Sequence, residues 1–192
     1  NFDDALDTIT TESQSYYSLG YRPRELTGED RPVVLRVRNR DYNVRARSSR
    51  ALKTADQVMS ERVVANIFSP APATGWKASI ATAEPERDGK TFKLPFEVTI
   101  PPALTLLPSA EGLSGGYTVY VAVGTPQGAI STVFSQPQPV RSAAAEEKTF
   151  RKEPLMFGAT LNVRPGENII SIGVVDHVSG ELAFTRTTVV AK

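Results

Sequence analysis

The sequence predicts a mainly β protein. The expected fold is an immunoglobulin- or fibronectin III-like β-sandwich, with a small N-terminal α+β segment of helix plus strands. Three observations lead there. From Trp76 onward, short apolar-alternating runs recur between turn signals. Residues 54–68 carry a helix pattern with its own start and stop. Residues 33–48 alternate apolar side chains with arginines at a period of two. The chain has 192 residues, 40% hydrophobic and 22% charged, so one packed core is feasible and wholesale disorder is not expected.

Taken in order, Phe2, Ala5, Leu6 and Ile9 share one helical face, so residues 2–14 read as a helix capped by Asn1. Asp3 and Asp4 suit its positive end. Tyr16 to Tyr21 reads as a strand stopped by Pro23. In residues 33–48, Leu35, Val37, Val44 and Ala46 fall on one face of a hairpin, and Arg36, Arg38, Arg45 and Arg47 on the other. Thr54-Ala55-Asp56-Gln57 matches a capping box. Val58, Met59, Val63, Val64, Ile67 and Phe68 follow at mostly helical spacing, so a helix should run from Ala55 to Phe68 and end at Ser69-Pro70. A strand at 62–68 competes, because Val63, Val64 and Ile67 are β-branched.

Beyond this the predicted strands are 76–83, 91–100, 117–124, 129–135, 155–163, 168–176 and 181–190. Arg87-Asp88-Gly89, Pro101-Pro102, Gly115-Gly116, Pro126-Gln127-Gly128, Pro165-Gly166 and Ser179-Gly180 supply the turns. Pro95 inside a strand marks an edge or a bulge, and the Pro- and Ala-rich stretch 136–149 reads as a long loop. The expected organisation is 1–50 as the helix and hairpin segment, 51–70 as a helical linker and 71–192 as the sandwich. No internal repeat is seen.

The absence of cysteine excludes disulfides, zinc thiolate sites and a cysteine nucleophile. A net charge of +1 argues against a dedicated, specific nucleic-acid binder. No apolar run approaches a membrane span. The chain opens at Asn1 without a basic-plus-apolar leader, which reads as a fragment or a processed chain. We expect no catalytic, cofactor or metal residues, since no EF-hand cadence or phosphate-binding glycine loop occurs. His177 is the single histidine, and Asp176 to Gly180 reads as a hairpin turn rather than part of a triad. Arg36, Arg38, Arg45 and Arg47 form the candidate anion- or partner-binding face, extended by Arg40, Arg50 and Lys53. A solvated, aggregation-resisting surface is the simpler reading of those arginines. Trp76, Tyr117 and Tyr120 are the candidates for a sugar-stacking platform. The spacing puts Tyr117 in the core with Tyr120 on the opposite face, and Trp76 reads as a core plug.

Four blocks carry a family resemblance. They are Tyr16-Tyr17-Ser18-Leu19-Gly20-Tyr21-Arg22-Pro23, the arginine-alternating pair Leu35–Arg38 and Val44–Arg47, Phe68-Ser69-Pro70, and Val163–Glu167 with Val174-Val175-Asp176 and Ser179-Gly180. Together they resemble the C-terminal part of bacterial von Willebrand factor A-related proteins of the type abundant in acidobacteria. Ser48-Ser49-Arg50 departs from the family's Arg-Gly-Tyr ending of the hairpin. The resemblance implies an A-type domain upstream and an extracytoplasmic setting, whether periplasmic, cell-surface or secreted. That domain's Asp-x-Ser-x-Ser adhesion motif does not occur here. The expected role is a non-enzymatic accessory module for protein–protein contact or adhesion, with a protein partner and a homodimer as candidate associations. The alternative is a carbohydrate-binding sandwich.

Overall fold

The computed structural model describes residues 30–32, 36–38, 49–51, 53–72, 76–102, 104–110, 112–143, 150 and 152–192. The chain divides into two compact units, Asn1–Thr54 and Ala55–Lys192.

In the first unit, β1 (Asp30–Pro32) pairs antiparallel with β2 (Ser49–Ala51), Asp30 opposite Ala51. Residues 36–38 belong to no strand, and Arg36, Val37 and Arg38 are all exposed. The strand expected through this stretch is therefore corrected. A period-two stripe becomes a strand only when its apolar side has something to bury against, and Val37 is 44% exposed. The remainder of the expected hairpin, the helix at 2–14 and the strand at 16–21 lie outside the described residues.

The second unit begins with α1 (Ala55–Phe68), directly after Thr54 and ending before Ser69-Pro70, as its pattern predicts. Its buried stripe is Met59, Val63, Asn66 and Ile67, while Val58 and Phe68 face outward. Nine strands follow. They are β3 (Ser79–Thr82), β4 (Glu86–Asp88), β5 (Thr91–Ile100), β6 (Leu107–Ser109), β7 (Gly112–Gly124), β8 (Phe134–Ser142), β9 (Leu155–Val163), β10 (Gly166–Asp176) and β11 (Leu182–Ala191). Two antiparallel sheets result. In the five-stranded sheet β10 joins β11 to β7, and β7 also pairs with β6 and β8. In the four-stranded sheet β5 is central, with β3 and β4 in line along one side and β9 on the other.

The strict alternation of β5 puts Phe92, Leu94, Phe96, Val98 and Ile100 into the core. They meet Tyr117, Val119 and Val121 of β7 and Ile170, Ile172 and Val174 of β10 in one apolar cluster. β7 and β10 are covered on both faces. Tyr120 and Ala122 look the other way and form a second cluster with Met59, Val63 and Ile67 of α1. The helix is thus the third layer of this unit, not the linker expected over 51–70. Its apolar stripe needed a surface, and the outer face of the sheet supplies it.

Four further expectations are corrected. Residues 129–133 form a loop in which the Ser131 hydroxyl accepts the Val123 amide at 3.0 Å, so β8 starts only at Phe134. The predicted loop from 136 is strand as far as Ser142, since an edge strand tolerates Pro137 and Pro139. Gly115 and Gly116 sit inside β7 and make no turn; a Cβ on Gly115 would lie 2.7 Å from the Thr105 carbonyl oxygen. Pro95 lies in a central strand, opposite the break between β3 and β4. Its carbonyl accepts the Ala83 amide at 3.0 Å, on that interrupted side. A strand residue aims N–H and C=O the same way, so the missing donor falls at the break and the β9 ladder loses nothing.

The contact between α1 and the sheet is close because glycine stands at the points of nearest approach. A Cβ on Gly173 would lie 2.5 Å from Val63 Cγ2, and one on Gly124 would lie 2.5 Å from Ile67 Cγ2. Gly173→Ala is expected to lower unfolding free energy by about 1–3 kcal/mol through overpacking. Val63→Ala added to it should cost less than the sum of the single changes, as urea denaturation of the three variants would measure.

Candidate functional site

The turn after β10 gathers the residues with most chemical potential. Asp176 is 1% exposed at the end of that strand. Its Oδ2 accepts the Thr105 amide at 2.7 Å, and its Oδ1 accepts the amides of Val178 at 2.7 Å and Ser179 at 3.2 Å. One carboxylate thereby closes the β10–β11 turn and ties the 104–106 segment to it. Gly180 completes the turn at a φ of 72°, where a side chain would be strained. Burial acts to raise the Asp176 pKa, but the three amides and the Ser179 side chain outweigh it and hold the carboxyl below its ordinary value.

His177, next in sequence, turns to the opposite face. Its Nε2 is 2.7 Å from Thr118 Oγ1, and its amide donates to the Gly116 carbonyl at 2.9 Å. Glycine suits position 116, since a Cβ there would lie 2.9 Å from both the Gln138 carbonyl oxygen and His177 Nδ1. The partners of Asp176 are backbone amides and that of the His177 ring is the Thr118 hydroxyl. Among the described residues, no three His, Cys, Asp or Glu side chains gather in a way that could hold a metal ion.

The aromatic candidates are separated and buried. Trp76 and Tyr117 lie in the core between the sheets, and Tyr120 lies under the helix. Burial, then a hydrogen bond to Asp56 and its negative charge, push the Tyr120 pKa up to about 12. The arginine candidates divide differently. Arg36 and Arg38 are exposed, and Arg45 and Arg47 lie outside the described residues.

Sequence reasoning missed a groove beside α1. It has a volume of about 280 Å³ and is lined by Arg62, Ala65, Ser69, Pro70, Pro72 and Phe184. The Arg62 guanidinium lies 5.7 Å from the centre of the Phe184 ring. The available signal was Asn66, a polar residue at the heart of an apolar stripe. It marks where the helix end is tied to β11.

No family model matches the chain, and no curated protein matches it. Solved structures overlap with it loosely. A Northeast Structural Genomics Consortium target shares 12% identity and a TM-score of 0.36, over 61% of this chain and 85% of that one. An ApaA protein from Bordetella pertussis shares 6% identity and a TM-score of 0.37, over 62% and 98%. A β-glucosidase from Kluyveromyces marxianus shares 10% identity and a TM-score of 0.28, over 64% of this chain and 15% of that one. Scores of this size carry no argument about fold or activity.

Two buried groups make stability depend on pH in opposite ranges. Asp176 has a lowered folded pKa, so its contribution is complete above the unfolded value of 3.8 and fades as pH falls through the folded one. Asp176→Asn should flatten the acid limb of a melting-temperature profile relative to the parent. Tyr120 has a raised folded pKa, so its contribution is complete below pH 10 and fades as pH rises toward 12. Tyr120→Phe should lose less stability than the parent between those values. An identical alkaline profile for the two proteins would contradict the assignment.

Proposed function

We propose that this chain is a non-catalytic accessory module of a larger exported bacterial protein. Its two antiparallel sheets form an immunoglobulin- or fibronectin III-like sandwich that presents a protein-binding surface. The resemblance of residues 16–23, 35–47 and 163–180 to von Willebrand factor A-related proteins supports that setting and an A-type domain upstream. One observation carries the non-catalytic part. The buried acid and the single histidine both have structural partners, Asp176 three backbone amides, and His177 the Thr118 hydroxyl through its ring and the Gly116 carbonyl through its amide. Among the described residues no helix is long and apolar enough to cross a membrane.

The test is retention of a partner. The immobilised chain, exposed to cell-envelope extract, should hold the same protein with and without His177→Ala. That substitution removes one hydrogen bond and should cost less than about 1.5 kcal/mol of stability. Retention lost at an unchanged melting temperature would show that His177 acts on the ligand and would sink this reading.

A further inference from the structure

We infer that the outer edge of β11, together with the groove beside α1, takes an extended peptide as an added strand. The peptide would carry an aliphatic side chain next to an acidic one. The inference rests on the reading of the chain as a protein-binding module and locates its site.

The phase of the ladder shows which amides are available. The Asp176 amide donates to the Glu181 carbonyl, so Asp176 aims its backbone at β11. Backbone direction repeats every second residue, so Asn168, Ile170, Ile172 and Val174 do the same. Their partners are Val189, Thr187, Thr185 and Ala183. The intervening Leu182, Phe184, Arg186, Thr188 and Val190 therefore turn N–H and C=O away from β10. Among the described residues β11 pairs with β10 alone.

The opposite edge of the same sheet is built differently. β8 pairs with β7 through Pro137 opposite Thr118 and Pro139 opposite Gly116. Proline cannot donate into the ladder, so both must sit where the backbone points outward. That edge lacks donors at two successive outward positions and resists strand addition. β11 contains no proline, and its one charged residue is Arg186. Exposed edges are commonly guarded by such a charge. Here Arg186 Nη1 instead donates to the carbonyls of Asn66 at 3.3 Å and Ile67 at 2.9 Å, on the helix side. The guard is turned onto the end of α1, and among the described residues no second strand pairs with this edge.

The groove supplies what a bare edge lacks, namely selection. A guest residue paired with Phe184 puts its side chain on the same face as the Phe184 ring. That face opens into the space between β11 and α1, walled by Ala65, Pro70 and Pro72. An aliphatic side chain fits those walls. Arg62 is the charged residue of the lining, so a neighbouring carboxylate on the guest meets a cation held above an aromatic ring. Main-chain bonds give affinity and alternate side-chain pockets give selection, as in other strand-addition sites.

The full chain can be panned against phage-displayed random decapeptides and the enriched peptides measured by fluorescence polarisation. Enriched sequences should alternate apolar and polar residues, with Asp or Glu beside an aliphatic anchor. Thr188→Pro removes an outward amide without breaking the β10 ladder, and should weaken binding by roughly tenfold or more. Arg62→Glu should abolish the preference for acidic peptides. N-methylation of alternate peptide amides should abolish binding with the protein unaltered, which keeps the test decisive if Thr188→Pro unfolds. No enrichment, or binding that survives Arg62→Glu and N-methylation undiminished, overturns the site. Self-association of the chain that blocks peptide binding and is lost in Thr188→Pro would replace the peptide by a second copy and overturn the proposal. Envelope-protein retention that persists in Thr188→Pro leaves the binding-module reading standing without this site, whereas its absence in the parent removes both.

Discussion

The carboxamide of Asn66 sits between helix and sheet, 3% exposed, where an unsatisfied polar group would cost about 1–3 kcal/mol. It is satisfied from both layers. Its nitrogen donates to Ser171 Oγ at 2.9 Å and to the Thr185 carbonyl at 3.2 Å, while its oxygen accepts the Ala71 amide at 2.8 Å. Ser171 in turn donates to the Val63 carbonyl at 2.7 Å. These bonds fix the rotation and height of α1 over β10 and β11. Apolar burial of Met59, Val63 and Ile67 favours some packing of the helix there, but it is not directional. The polar network selects one register, because any shift leaves several buried groups without partners.

That register has consequences on both sides of the contact. On the sheet it requires small residues where the helix comes closest, and Ala122, Gly124, Ser171 and Gly173 meet the requirement. At the helix end it leaves carbonyls that need donors. Arg186 reaches back from β11 to two of them, adding a positive charge where the helix dipole is negative. A side chain of the edge strand is thereby committed to the helix end while remaining exposed. Among the described residues β11 pairs with β10 alone, and its one charged side chain is engaged in holding the helix.

Local patterns were readable from the sequence wherever one rule acted alone. The helix at 55–68 has cap, stripe and terminator in agreement, and β5 and β9 have clean alternation, so their ends were predicted to the residue. Rules in competition gave errors. Gly115-Gly116 and Pro137 with Pro139 look like turn and loop signals, yet in a long strand and at an edge they serve close approach and outward phase. β4 and β6 have three residues each, too short to leave a period. The role of α1 was missed because burial by a distant sheet face is written in β7, β10 and β11 rather than in the helix. The turn at Asp176 was legible from Asp, Ser and Gly, whereas the tie to Thr105 crosses 71 residues of sequence and leaves no local mark.

The same competition bears on what Asp176 can do chemically. An acid able to abstract protons near neutral pH has its pKa raised toward 7, by burial or by a neighbouring negative charge. Asp176 is buried, which alone would push it that way. The amides of Thr105, Val178 and Ser179 reverse the sign and stabilise the carboxylate. A carboxylate made more stable is a weaker base, and an oxygen that already accepts a short backbone bond presents little to a substrate. His177 is directed away from it, onto Thr118. The hydrogen bonds that close the turn are the ones that lower the basicity of Asp176. Asp176 and His177 thus both serve to hold β10, β11, β7 and the 104–106 segment together.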